Sequence, residues 1–399
     1  MNKKITVGTS IALIFFAILL AFSVTYVCIN KSYQNKLEEN LKYAQIYQKL
    51  YNFDSIIREK YIGEIDGNSV MDGMLAGYLN GLGDKYARYY TAEEYGRYEL
   101  EMTGKVVGIG ITVHYNSEKN AAEIVNVTEG SPAFKMGLKV GDLILGVDGL
   151  TCAADGYETI INAISGEEGE PVTVTVLNVE DGIISELHIV RAIVSYSSVF
   201  SRVTDDKIGI VQITEFNKNT PKEFKNVINE LSAEGVNSFI FDVRNNLGGN
   251  LDAICQVLDL LLPEGPIVRL VDSDGNETTK KSDSSCIEGK ICVLVNQYTA
   301  SAAELFASAI RDYEYGTLIG TKTYGKGTAQ TIMKLPDNSA LSISTELYMP
   351  PYGDNYENIG ITPDIVVEYE AGADGKEDSQ TQKAIDTLLD LIKAEEVIE

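Results

Sequence analysis

Residues 296–330 read NQYTASAAELFASAIRDYEYGTLIGTKTYGKGTAQ and follow the apolar run KICVLV at 290–295. The run predicts a buried strand and the spacing after Ser301 predicts a helix, so a turn of small residues joins the two. Similar strands alternate with crossover helices on both sides of this stretch, which predicts an α/β fold with a largely parallel sheet. Lys326 follows inside a Gly-Lys-Gly turn, and Gln330 lies four residues beyond it.

The serine of this stretch has two interpretations. Ser301 and Glu304 form the Ser-x-x-Glu pattern of a capping box, in which the serine only begins a helix. Alternatively Ser301 is a nucleophile, since small residues surround it and a lysine can act as its base once burial lowers the lysine pKa. Lys326 between two glycines is that base, and Gln330 would orient its amine. Lys322, four residues earlier, is expected to be solvated.

A glycine turn supplies a candidate oxyanion hole for the same chemistry. Loops at the carboxyl ends of parallel strands converge on one crevice, so residues 245–249 are expected to meet the Ser301 turn. An oxyanion needs two donors about 3 Å away. The Ala302 amide at the helix start is one candidate, and an amide of Gly248 or Gly249 is the other.

Residues 104–193 have a different pattern, with short strands and two short helices in the order β-β-helix-β-helix-β. Within them GSPAFKMGLKVGDLILGVDG, residues 130–149, resembles the central signature of PDZ domains. Glycines just before the second strand would let successive N–H groups bind a peptide carboxylate, and that strand's edge would take an extended peptide. The alternative is that these glycines only form a tight bend. The residues concerned are Gly108, Ile109, Gly110 and Ile111.

The N-terminus begins with Lys3 and Lys4, followed by an uncharged run of 25 residues, Ile5–Ile29. At about 1.5 Å per residue this run spans a hydrocarbon core of about 30 Å. No small-residue cleavage site follows, so we expect an uncleaved signal anchor in the lipid bilayer. This predicts a single-pass cell-membrane protein with an extracytoplasmic catalytic domain. The polar segment at 30–36 is expected to be a linker.

Composition excludes other classes of function. The 399-residue chain has a net charge of −25 and no basic patch, which argues against nucleic acid as a partner. Its five cysteines form no Cys-x-x-Cys or Cys/His cluster, so we expect neither a metal site nor a cofactor. Cys286 and Cys292 could pair across a hairpin, although separate thiols are the simpler interpretation.

Taken together, the motifs resemble the C-terminal processing peptidases, tail-specific serine proteases with a Ser-Lys catalytic pair. The resemblance covers nearly the whole chain, and Ala303 stands where many members have a second serine. The matching segments are FDVRNNLGGNLD at 241–252, TASAAE at 299–304, TYGKGTAQ at 323–330 and NIGITPDIVV at 358–367.

The resemblance implies a crotonase/ClpP-like α/β protease core, with an inserted PDZ domain and an N-terminal helical arm. It implies Ser301 as nucleophile, Lys326 as general base, Gln330 as orienting residue, and an oxyanion hole from the Gly248 and Ala302 amides. The expected activity is that of a serine endopeptidase acting on proteins with apolar C-termini. A peptide-binding scaffold with a silent protease-like domain is the alternative.

The resemblance also implies an organisation for the whole chain. The arm and the tail would form a homodimer or a higher homo-oligomer. Arg191 is either a contact that gates the active site or an ordinary surface arginine. The expected domains are a signal anchor at 1–30, the helical arm at 31–103, the PDZ domain at 104–193, the protease core at 194–371 and a helical tail at 372–399.

Overall fold

The structure, a computed structural model, describes residues 7–372 and 376–396, so Lys3 and Lys4 lie outside it. The chain divides into two compact units, one ending at Met74 and the other beginning at Leu75. The helices are α1 Val7–Lys60, α2 Gly67–Asn80, α3 Ala92–Glu101, α4 Pro132–Lys135, α5 Cys152–Asp155, α6 Tyr157–Ile164, α7 Thr220–Ala233, α8 Leu251–Leu261, α9 Ala302–Asp312 and α10 Ser379–Glu396.

Strands occur only in the second unit of the described chain. They are β1 Arg88–Tyr90, β2 Lys105–Gly108, β3 Ile111–Asn116, β4 Ala121–Val127, β5 Leu143–Val147, β6 Leu150–Thr151, β7 Pro171–Leu177, β8 Ile184–Val190, β9 Ala192–Ser195, β10 Val199–Val203, β11 Gly209–Ile213, β12 Ser238–Asp242, β13 Gly265–Asp272, β14 Glu277–Ser282, β15 Lys290–Val295, β16 Thr317–Gly320, β17 Thr328–Lys334, β18 Ala340–Met349 and β19 Ile365–Val366.

The first long helix continues where a linker was expected. Helix α1 is 54 residues long and passes through residues 30–36 without a break, so the linker prediction is wrong. That segment is polar but contains neither glycine nor proline, and nothing in it stops a helix. Within the described residues one segment, Phe15–Gln34, is long and apolar enough to cross a membrane, with a mean hydropathy of 1.6. A signal sequence would meet the same criteria.

The region after residue 196 is built on a six-stranded sheet in the order β10-β11-β12-β15-β16-β19. Every neighbouring pair is parallel except β10 and β11. Alternate residues of β12 point to different cores: Phe239 and Phe241 pack with helices α7, α8 and α9, whereas Ile240 packs with α10. The largely parallel sheet predicted from the apolar runs is therefore confirmed, and helices cover both of its faces.

A second, antiparallel sheet was not expected from the sequence. It has the order β1-β18-β13-β14, with β17 also paired to β18. Strand β1 lies inside the segment predicted to be a helical arm, and its Tyr90 pairs with Ala340. Aromatic residues favour strands over helices, which accounts for this departure. The last part of the expected arm is thus built into the second compact unit.

Residues 104–195 form a separate antiparallel sheet, β3-β4-β5-β7-β8, with its own hydrophobic core. The chain enters and leaves this domain through the paired strands β2 and β9. Arg191 is buried here, and it donates to the carbonyl oxygens of Ala163 (2.8 Å) and Ile164 (3.0 Å) at the end of α6. Arg191 is therefore not a surface arginine, and its role as a gating contact stays a prediction.

The cysteine thiols stay apart in the structure. Cys286 is exposed and Cys292 is buried in the sheet, and both are free. The simpler interpretation of separate thiols therefore holds. Across the described ranges, 7–372 and 376–396, there is no group of three or more His, Cys, Asp or Glu side chains that could hold a metal ion.

Candidate active site

The serine turn links strand β15 to helix α9. Ser301 precedes the first helical residue with φ 57° and ψ −119°, a left-handed backbone conformation that is costly for any residue with a Cβ. The turn is held from below: Thr299 Oγ1 donates to the Val243 carbonyl oxygen at 2.9 Å, and the Ala300 N–H donates to the Asn246 carbonyl oxygen at 2.9 Å. Strain at a buried serine supported in this way is typical of functional sites.

The glycine turn lies directly against the serine turn, as predicted. A Cβ on Gly248 would lie 2.8 Å from the Ser301 Cβ and 2.9 Å from the Ala302 nitrogen, so only glycine fits. The Gly248 N–H, however, donates to Asn246 Oδ1 at 2.8 Å. In this arrangement the Gly248 N–H is already hydrogen-bonded. It can donate to an oxyanion only after its hydrogen bond to Asn246 breaks. The Ala302 N–H is one of the first helical amides, which have no partner within their helix.

Glu304 connects the serine turn to the lysine turn. Its side chain is fully buried, and its Oε2 accepts hydrogen bonds from the N–H groups of Ser301 (3.0 Å) and Lys326 (2.8 Å). Its Oε1 accepts from the Gly325 N–H at 2.7 Å and from Thr323 Oγ1 at 2.5 Å. Burial raises the pKa of the Glu304 carboxyl, and these donors oppose the rise. One carboxylate therefore fixes both candidate catalytic residues.

The lysine turn depends on its glycines. Gly325 has φ +89°, and a Cβ there would lie 2.8 Å from the Gly360 nitrogen. The side chain of Lys326 is partly buried, and its Nζ lies 4.7 Å from the centre of the Tyr86 ring. Burial lowers the pKa of Lys326, which is the direction that a general base requires. Lys322 is exposed, as expected.

Gln330 lies near the predicted lysine and is held from behind. Its Nε2 donates to Ser344 Oγ and to Thr328 Oγ1, both at 3.1 Å. Ser344 in turn donates through its N–H (2.9 Å) and its Oγ (3.1 Å) to the carboxylate of Asp84. With its nitrogen engaged, Gln330 has its carbonyl oxygen left to accept from the lysine amine. That contact stays a prediction.

The three predicted catalytic residues line one cavity of about 560 Å³. Tyr348 is buried at its wall, and a hydrogen bond with the Ser301 side chain opposes the rise that burial causes in the tyrosine pKa. The wall also has an apolar part and two carboxylates. The other lining residues include Tyr86, Tyr90, Tyr98, Met102, Leu247, Asp252, Ile332 and Glu346. The cavity therefore brings the three predicted residues together on a wall that is partly apolar and partly acidic.

Several residues of the site have no signal in the sequence. Asp84 and Tyr86 lie more than 200 positions before Lys326, and no spacing rule connects them. Glu304 was identified only as part of a capping box, where its reach to the lysine turn is invisible. Tyr348 lies in a strand whose alternating pattern predicts that one face is buried. The pattern does not predict that Tyr348 contacts Ser301.

The PDZ-like domain has a small cavity beside the edge strand of its sheet. Strand β3 is at the edge of its sheet, and a small cavity of about 100 Å³ lies along it, lined by apolar residues of β3 and α6. Gly110 has φ +85°, and the Ala133 N–H donates to the Ile109 carbonyl oxygen at 2.8 Å. The four predicted carboxylate-loop residues all line this cavity. They are Gly108, Ile109, Gly110 and Ile111.

Known proteins agree with this architecture. A family model for peptidase family S41 matches residues 207–367, and a PDZ domain model matches residues 123–178. The carboxyl-terminal-processing protease of Synechocystis sp. is 31% identical over 84% of this chain and 80% of its own length. A protein of Staphylococcus aureus described as a CtpA-like serine protease is 28% identical over 86% of this chain and 69% of its own.

A solved structure shows the same fold at lower identity. An S41 protease structure from Bacteroides fragilis superposes with a TM-score of 0.51 and 18% identity, covering 79% of this chain and 89% of that one. Fold and sequence thus define a serine peptidase with a PDZ domain. The chain belongs to peptidase family S41, with carboxyl-terminal-processing proteases as its relatives.

Proposed function

We propose that the chain is a membrane-anchored endopeptidase that hydrolyses peptide bonds through an acyl-enzyme on Ser301. The observation that carries the proposal is the placement of Ser301 and Lys326 on one cavity, with a partly buried lysine whose pKa burial lowers. A neutral amine next to a serine is what nucleophilic catalysis without histidine needs.

In the proposed reaction the neutral Lys326 amine takes the Ser301 hydroxyl proton as Oγ attacks the substrate carbonyl carbon. The carbonyl oxygen becomes an oxyanion, stabilised by the Ala302 amide and, once Asn246 releases it, by the Gly248 amide. The Lys326 ammonium then gives its proton to the leaving amine as the C–N bond breaks. A water molecule, deprotonated by Lys326, hydrolyses the ester and restores Ser301.

Recognition of substrates is assigned to the PDZ domain. The free edge of β3 and the apolar groove beside it support binding of an extended C-terminus with an apolar last residue. The loop at 108–111 would bind the terminal carboxylate through its N–H groups.

The anchor and the oligomer belong to the same proposal. The segment Phe15–Gln34 would hold the enzyme in the cell membrane with the catalytic unit outside the cytoplasm. Apolar side chains exposed along the arm, such as Tyr47, Tyr51 and Phe53, support self-association as a homodimer or higher oligomer. Carbonate extraction of membranes tests the anchor, because an integral protein stays in the pellet.

The decisive experiment uses the full-length protein in detergent and an unfolded substrate with an apolar C-terminus. Ser301→Ala and Lys326→Ala should each lower kcat by at least about a hundredfold. Lys322→Ala is the matched control, since this lysine is exposed on the same turn, and it should cleave like the wild type. Equal cleavage by wild type and both active-site variants would refute the proposal. Binding of the substrate without cleavage by the wild type would favour the scaffold.

A further inference from the structure

A short segment before β1 docks on the lysine turn. Lys85 Nζ donates to Asn358 Oδ1 at 2.7 Å and lies 3.3 Å from Glu357 Oε1. Glu357 Oε2 accepts from the Gly327 N–H at 2.7 Å, so the ion pair joins the segment to the turn that carries the lysine. The segment also contacts a second part of the site, because Asp84 accepts hydrogen bonds from Ser344, the residue to which Gln330 donates.

Tyr86 is the residue of this segment that contacts the catalytic base. Its ring centre lies 4.7 Å from Lys326 Nζ and also 4.7 Å from Lys85 Nζ. Its hydroxyl contacts Glu357 Oε1 at 3.4 Å. Both Tyr86 and Lys326 line the catalytic cavity, and the ring shields part of the amine from solvent.

The charges around Lys326 would by themselves keep it protonated. Three carboxylates face it from three elements: Glu357 from the loop after β18, Asp84 from the docked segment and Glu304 from α9. Each raises the lysine pKa, and only Lys85 among the charged neighbours opposes them. The pKa is nevertheless lowered because burial is the largest influence. The groups that exclude water from the amine therefore decide its protonation state.

We propose that Tyr86 is a positioning residue for Lys326, and that docking of residues 84–86 on the lysine turn assembles a competent base. This rests on the proposed function, since it assigns Lys326 as the base. A cation–π attraction between the ring and an ammonium would act in the opposite direction by favouring the charged lysine. The direction in which a substitution at Tyr86 shifts the pKa of Lys326 therefore distinguishes the two effects.

The test is the pH profile of kcat/KM for full-length wild type and Tyr86 variants on one reporter peptide. Activity rises with pH as Lys326 loses its proton. Tyr86→Ala admits water, so its rising limb should move to higher pH, with a loss of about tenfold or more at neutral pH that recovers in alkali. Tyr86→Phe and Tyr86→Leu keep an apolar cover and should stay close to the wild-type limb. An unmoved limb or a shift to lower pH in Tyr86→Ala overturns the proposal.

Asp84→Ala separates docking from charge. Loss of this carboxylate alone would lower the lysine pKa and move the limb to lower pH, whereas release of the segment moves it to higher pH. We expect the shift to higher pH, and a shift to lower pH would overturn the role of docking.

Circular dichroism of each variant detects misfolding. If a variant misfolds, the pH profiles of Tyr86→Leu and Tyr86→Phe decide the question. If wild type and Lys326→Ala cleave equally, the proposed function itself fails, which is a different result from an unmoved limb.

Discussion

At the residue scale, Glu304 does more than cap a helix, because its carboxylate binds both turns of the site. Each of its two oxygens accepts two hydrogen bonds, and the four donors come from the serine turn and the lysine turn. A carboxylate accepts at both oxygens, whereas an amide has one oxygen and one donor group. The site therefore requires a carboxylate at this position and not merely a polar residue.

Glu304→Gln should place an N–H₂ group against two donors. We expect it to lower kcat by about a hundredfold, because small displacements of catalytic groups cost that much, and to lower stability by about 1–3 kcal/mol. Steady-state kinetics and urea unfolding measure the two effects. Glu94→Gln is the matched control, since Glu94 forms the partly exposed capping box with Thr91 and should change stability by less than about 0.5 kcal/mol. Equal effects of the two changes would contradict the role given to Glu304.

The strained backbone of Ser301 predicts a second effect on stability. Ser301→Gly should be more stable than Ser301→Ala by about 1 kcal/mol, because glycine adopts φ 57° without a Cβ clash. Thermal unfolding of the two inactive variants measures the difference. Ser308, in the interior of α9, is the control. There Ser308→Gly should be about 1 kcal/mol less stable than Ser308→Ala, the opposite order to that expected at Ser301. The same order at both positions would rule out strain at Ser301.

At the element scale, helix α10 is fastened to the sheet by one buried arginine. Arg244 donates to Asp242 at 2.7 Å and to Asp378 at 2.9 Å, next to the start of the helix. Both carboxylates are largely buried beside it. The helix then buries Ala384, Ile385 and Leu388 against the outer face of the sheet. The arginine therefore holds the tail in place through charges that water screens only weakly.

Arg244→Ala should cost about 3–5 kcal/mol, because it leaves two buried carboxylates without their partner. Arg202→Ala is the matched control: Arg202 pairs with Glu377, adjacent in sequence to Asp378, but half of its side chain is exposed. That change should cost less than about 1 kcal/mol. Guanidinium unfolding followed by fluorescence compares the two. Similar costs would mean that burial does not distinguish these pairs.

The elements also show what a sequence can reveal. The parallel sheet was predictable because β12 is apolar from Phe239 to Phe241 and β15 from Ile291 to Val295, and such unbroken runs occur when both faces of a strand are covered. Strand β1 was missed because three residues are too few to establish a period. The occupied Gly248 amide was missed because its acceptor is a side chain two residues earlier, and local geometry of this kind has no signature in residue order.

At the scale of the whole molecule, the PDZ domain has its own core, and the chain enters and leaves it through two paired strands. Binding at the groove should therefore be measurable separately from catalysis. The distance and orientation of this domain relative to the cleft depend on tertiary structure, and no sequence motif specifies them. Ser301 and Lys326 could be proposed from sequence because each lies in a short turn of small residues, whereas Asp84 and Tyr86 reach the site only through folding.

Full-length Ser301→Ala protein should bind a peptide with an apolar last residue and lose at least about tenfold in affinity when the peptide is amidated, because a charged hydrogen-bond acceptor is removed. Fluorescence anisotropy measures both affinities. Gly110→Ala should abolish the difference, since a Cβ there runs into Ser131. Gly182→Ala is the control, with a similar φ of +71° and open space around it. Equal binding of acid and amide would contradict carboxylate recognition.

The buried carboxylate of Glu304 has a kinetic consequence for the whole enzyme. The amide hydrogens of Ser301, Gly325 and Lys326 all end on this one side chain, out of contact with solvent. Such amides exchange with deuterium only when the surrounding structure opens. The amides of Ser301 and Lys326 should then share one slow exchange rate, and we expect the two turns to behave as a single rigid body. Switching between active and inactive forms would leave that body intact and act on what covers it.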